Sequence, residues 1–114
     1  MKPYVLIKES GSTIETINVI GELDLASAHD FETTINALNE SVPSVVIDMS
    51  ACHYIDSTII AVLIRAHRRF GNKLMLVIPQ KNTIRRLFRI ANLDTMLQIE
   101  PSIEAANVRI TTAL

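Results

Sequence analysis

The sequence holds one cysteine, no tryptophan and three glycines in 114 residues. A lone Cys52 cannot close an intrachain disulfide, and a single thiol fits a reducing compartment. Three glycines leave no Gly-rich phosphate loop, which needs glycine where the backbone meets a pyrophosphate. Aromatic residues make up 4%. Proteins that grip single-stranded nucleic acid stack bases on aromatic rings, so that role has no support. The longest unbroken apolar run covers residues 59–64, far short of the ~20 residues that span a bilayer. The apolar stretch near the start, Val5-Leu6-Ile7, is too short for a signal peptide. His29, His53 and His67 fall in separate segments without metal-ligand spacing. These absences predict a cytoplasmic protein with no cofactor, no metal, no membrane insertion and no nucleic-acid partner.

Hydrophobic residues reach 48% and charged residues 20%, the balance of a globular chain rather than a disordered one. About 70% of the unfolded surface is buried at roughly this length, so a single domain over residues 1–114 can build its own core. The net charge of −1 conceals a division along the chain. Residues 1–64 carry a balance of −7, residues 65–89 one of +8 with no acid, and residues 90–114 one of −2. Such a polarised surface steers charged partners.

Residues 4–10 and 13–20 read as two strands joined at Gly11-Ser12, an opening hairpin whose first strand lies antiparallel at a sheet edge. A helix follows, from Ala26 or Ser27 to about Asn39, with Ala28, Phe31, Ile35 and Leu38 as its apolar stripe. Residues 44–49 contain the run Val45-Val46-Ile47, which suits a strand covered on both faces. Residues 57–70 form a second helix stopped by Gly71, and residues 73–78 a buried strand. A third helix opens at Asn82 or Thr83 with the stripe Ile84, Leu87, Phe88 and Ala91. A weak strand over residues 96–99 and a helix from Ser102 complete the chain, with Thr and Val making its last turns ambiguous. The alternation predicts an α/β fold: a mixed, mainly parallel sheet of about five strands with about four helices packed against it.

Chemistry is thinly spread. Adjacent residues on an extended chain point opposite ways, so Cys52 and His53 do not make a thiol–base pair. The informative segment is Tyr54-Ile55-Asp56-Ser57-Thr58, which leaves a central strand and opens a helix. Ligands and partners of open α/β sheets meet the loops beyond the carboxyl ends of the strands. Asp56 or Ser57 can cap the helix, because the side-chain oxygen accepts from an orphan N–H. The next residues, 59–64, are apolar on every side of the helix, so the helix is either enclosed by its neighbours or offers a docking patch beside a hydroxyl. Phosphorylation there would add about −1.5 to −2 charges beside Asp56. On the third helix, Arg85, Arg86 and Arg89 lie opposite the apolar stripe; they form a solvated face or meet an acidic partner.

From about Tyr4 to Ile103 the sequence resembles the bacterial anti-sigma-factor antagonists of the STAS domain family. Gly21-Glu22-Leu23-Asp24 resembles the family's segment after the second strand, and Val46-Ile47-Asp48-Met49-Ser50 with Tyr54-Ile55-Asp56-Ser57-Thr58 its strand and phosphorylation loop. Gly71-Asn72-Lys73-Leu74, Ile84-Arg85-Arg86-Leu87-Phe88 and Leu93-Asp94 resemble its later strand and third helix. The resemblance implies a regulatory module rather than an enzyme. Its partner would be an anti-sigma factor with serine kinase activity, released when Ser57, or Thr58 in reserve, is phosphorylated and regained through a PP2C-type phosphatase. Asp24 and Asp56 match acidic family positions near the serine, and Asp24, Asp56, Ser57, Thr58, Ile59, Ile60, Arg85 and Arg86 are the expected partner-binding set. The family usually has glycine two residues after the serine, where this chain has Ile59. A branched side chain there would restrict kinase access. It motivates an alternative: a STAS scaffold subunit of a stress-signalling or lipid-transport complex, without a phosphorylation switch.

Overall fold

The Gly11-Ser12 pair closes a hairpin, with the Gly11 N–H donating to the Ile14 carbonyl at 2.9 Å. Its strands are β1 (Tyr4–Ser10) and β2 (Ile14–Glu22). The computed structural model describes residues 3–113. After the hairpin come α1 (Ala28–Asn36), β3 (Ser44–Tyr54), α2 (Ser57–Phe70), β4 (Leu74–Val77), α3 (Thr83–Ile90), β5 (Ile99–Glu100) and α4 (Ile103–Ala113). The strands form one sheet in the order β1-β2-β3-β4-β5; β1 is antiparallel to β2 and every other pairing is parallel.

The continuous apolar runs of β3 and β4 reflect burial on both faces of the sheet. On one face, Val45, Ile47, Leu74 and Leu76 join Phe31 and Ile35 of α1, Val62 and Leu63 of α2, and Ile84 and Phe88 of α3. On the other, Val46, Met75 and Val77 meet Ala106 and Ile110 of α4. Towards the β1 edge this second face is open, and Val5, Ile7 and Ile20 remain exposed there.

Gly21 is dictated by the backbone. Its φ is +98°, and a Cβ would stand 2.2 Å from the Pro3 carbonyl oxygen, which accepts from the Glu22 N–H at 3.0 Å. Gly71 ends α2 in the positive-φ region expected of a helix stop.

Several element boundaries differ from those predicted, β2 among them, which runs to Glu22 rather than residue 20. Helix α1 ends at Asn36 rather than near Asn39; there the Leu38 N–H turns back to the Ile35 carbonyl at 3.1 Å, and the Arg69 guanidinium donates to the Ile35 and Leu38 carbonyls, each at 3.4 Å. Strand β3 runs on to Tyr54 because β2 continues alongside it, pairing Gly21 with Cys52 and Glu22 with Tyr54. The last strand is Ile99–Glu100, fixed by its pairing with Leu76 and Val77. The helix from Ile103 continues to Ala113.

The charge division of the sequence is partly cancelled in space. Arg65 of the basic segment binds the Glu32 carboxylate through two nitrogens at 2.6 and 3.1 Å. Arg69 reaches Glu40 at 2.5 Å and Asn36 at 3.1 Å. Half of α2's basic end is thus spent on tying α2 to α1 and the turn that follows it.

Candidate functional site

The site forms where β2 and β3 end together. The Leu23 N–H donates to the Tyr54 carbonyl at 3.0 Å, so the segments leaving the two strands start side by side. After β2, residues 24–27 fold into a turn held by its own side chains. Asp24 Oδ1 accepts from the Ala26 N–H at 3.0 Å. The buried Ser27 hydroxyl accepts from the Asp24 N–H at 2.8 Å and donates back to the Asp24 carbonyl at 3.1 Å. Ser27 therefore serves this turn and makes no side-chain cap for α1. The turn carries Leu25 at its tip with its residue 73% exposed.

After β3, Asp56 is the N-cap of α2, in extended backbone geometry. Its Oδ1 accepts from the N–H groups of Thr58 at 3.0 Å and Ile59 at 3.3 Å and from the Thr58 hydroxyl. Its Oδ2 accepts from the Leu25 N–H at 2.9 Å. One carboxylate thus joins the β2–α1 turn to the start of α2. The Thr58 hydroxyl, aided by the N–H groups of Ile59, Leu25 and Thr58 and opposed by desolvation, holds the Asp56 carboxyl below the usual carboxylate range.

Ser57, the first helical residue, is exposed, and its hydroxyl makes no hydrogen bond with the described residues. The neighbouring hydroxyl, on Thr58, is half-buried and engaged by Asp56. The helix N–H groups of Thr58 and Ile59 are also taken by Asp56, so they are not open to an anion on Ser57.

Ile59 is 0% exposed and belongs to the main core. Its side chain lies away from the surface that carries Ser57, which corrects its expected place among partner-contacting residues and as an obstacle beside the serine. Ile60, Ala61 and Ile64 are half-buried and Val62 and Leu63 are buried, so the chain itself covers most of this helix. Arg85 is half-buried and donates to the Ile78 carbonyl at 2.6 Å, a link between α3 and the end of β4. Arg86 and Arg89 are exposed. Cys52 is buried, and desolvation pushes its thiol up, away from the thiolate that nucleophilic chemistry needs. His53 is exposed. Among the described residues no three His, Cys, Asp or Glu side chains are grouped to hold a metal, and no helix is long and apolar enough to cross a membrane.

Residues 4–106 match the STAS domain family. The chain belongs to that family. Three solved structures share the fold of this STAS domain. An anti-sigma factor antagonist from Mycobacterium paratuberculosis is 24% identical, with a TM-score of 0.84 over 95% of this chain and 94% of its own. The Bacillus cell fate determinant SpoIIAA in its phosphorylated form is 17% identical, with a TM-score of 0.66 over 90% and 97%. SpoIIAA in its unphosphorylated form gives 15% and 0.69 over 96% and 100%. Curated proteins give no significant match.

Sequence reading passed over Leu25 as a contributor to the site. Its signal was an apolar residue between two turn formers, Asp24 and Ala26-Ser27, outside the period of either flanking element. Asn82 was read only as an opener of α3. It caps Ile84 at 3.0 Å and also donates to the Cys52 carbonyl at 2.9 Å, bracing α3 against the end of β3.

Proposed function

We propose that this STAS domain is an anti-sigma-factor antagonist, a non-enzymatic cytoplasmic module that binds an anti-sigma factor with serine kinase activity. Ser57 is the phosphate acceptor, and a PP2C-type phosphatase reverses the modification. The observation that carries the reading is the exposed, unengaged Ser57 hydroxyl beside Asp56 at the start of α2. Thr58, the reserve acceptor, is a poorer one because its hydroxyl is bound to Asp56. A phosphate on Ser57 would stand next to a carboxylate that has already used the nearby helix N–H groups. Its charge would then stand beside a like charge and would be costly to desolvate against a partner. Asp24 and Asp56 shape the loop and perform no chemistry. Arg86 supplies a basic contact from α3, whereas Arg85 holds the helix in place.

The scaffold reading drew on Ile59 in place of glycine. With that side chain in the core, Ile59 itself presents no obstacle at the surface around Ser57, which favours the switched reading.

The test is incubation with purified anti-sigma kinases from the same genome and ATP, followed by intact-mass and phosphosite mapping. One phosphate on Ser57, lost in Ser57→Ala and not transferred to Thr58, is expected. Ser57→Asp is expected to weaken kinase binding at least about tenfold. A stable multi-subunit assembly with unmodified Ser57 supports the scaffold instead.

A further inference from the structure

We infer that partner affinity is concentrated in Leu25 and Tyr54, and that the partner presents an apolar surface ringed by lysine or arginine. The inference rests on the proposed function and specifies its interface. Leu25 is 73% exposed, yet it is not on a loose loop: the Asp24–Ser27 side-chain bonds and the Asp56 carboxylate fix its backbone. A large apolar side chain on an already ordered backbone loses less conformational entropy on binding than one on a loose loop. Tyr54 is 51% exposed and ends β3 directly opposite Glu22. Tyrosine combines a large apolar ring with one polar tip and is enriched among residues that dominate interfaces. Beside it lies a groove of about 280 Å³ between the β3–α2 segment and α3, with Ile84 and Leu87 among its walls. Ser57 follows Tyr54 by three positions and adjoins Asp56, so knob, ring and hydroxyl share one end of the sheet.

Charge decides the chemistry of the occupant. Glu22 and Asp24 are exposed and Asp56 half-buried, and among the described residues none of the three has an ion-pair partner. Cations on the other molecule would neutralise this acidic rim and leave an apolar centre facing Leu25 and Tyr54. An acid on the partner at this rim would be repelled; only at the α3 side of the groove, where Arg86 is exposed, can one be met.

The experiment measures binding of the cognate anti-sigma kinase to the wild type, Leu25→Ala, Tyr54→Ala, Glu22→Lys and Val108→Ala. Val108 is 66% exposed on α4 and serves as the control. Leu25→Ala and Tyr54→Ala are expected to bind at least about tenfold more weakly, with circular dichroism unchanged. Val108→Ala is expected to bind as the wild type does. Glu22→Lys is expected to slow association and reduce its dependence on salt. Wild-type affinity in both Leu25→Ala and Tyr54→Ala, or a salt dependence unaltered by Glu22→Lys, overturns the inference while leaving Ser57 phosphorylation standing. A wild type that neither binds nor is phosphorylated by any such kinase overturns the proposed function and the inference with it.

Discussion

The carboxylate of Asp56 accepts the backbone N–H of Leu25 at 2.9 Å, joining two residues 31 positions apart. The same side chain caps α2 through Thr58 and Ile59. Two elements that the chain visits separately, the turn after β2 and the helix after β3, therefore share one anion. Their geometry depends on its being ionised and on having two oxygens to offer.

This sets a pH dependence. The folded-state pKa of Asp56 lies below its unfolded value, so its contribution to stability is complete above about pH 3.9 and is lost as the pH falls through the lower, folded value. Urea unfolding followed from neutral pH into this acid range should show that loss, and Asp56→Asn should flatten it. Asparagine offers a single acceptor oxygen, so amide exchange at Leu25 or at the first turn of α2 should quicken in the same variant.

Restoring the family glycine at position 59 should harm this protein rather than help it. Ile59 is fully enclosed in the main core, and Ile59→Gly would both empty its volume and loosen the first turn of α2. A loss of about 3–5 kcal/mol is expected in denaturant titration. Phosphorylation of the fraction that remains folded should be no faster than in the wild type.

Asn82 supports the surface from behind. Asn82→Ala removes the cap on Ile84 and leaves the Cys52 carbonyl without its side-chain donor. A destabilisation of about 1–2 kcal/mol is expected, read as a shift in urea midpoint at unchanged slope. Asn82→Asp should recover the cap but not the bond to Cys52.

Much of this architecture was legible because its signals are local. Val45-Val46-Ile47 identified a strand buried on both faces, and Asp56 with Gly71 bracketed α2 correctly at each end. The end of β3 was not legible. Residues 50–54 carry no continuous apolar run and are held extended by β2, a partner that no local pattern names. Charge along the chain was likewise a poor guide to charge in space, since Arg65 and Arg69 close onto Glu32 and Glu40. At the site, capping leaves a sequence signature, which narrowed the cap of α2 to Asp56 or Ser57; in the structure it is Asp56. Leu25 stood out less, as an apolar residue within a turn, because its meaning comes from a hydrogen bond formed only after two strand ends lie together. Ile59 was misplaced for a related reason: in a helix apolar on every side, composition does not say which side faces inward.

Helix α2 is clamped at both ends. Asp56 fastens its start to the turn bearing Leu25, and Arg65 and Arg69 rivet its far half to α1 and the residues beyond it. Such a beam has no free end to swing. On the proposed reading, a phosphate on Ser57 would find little lever by which to reshape the domain, and its effect would be written on the outside, as a lost fit to another molecule.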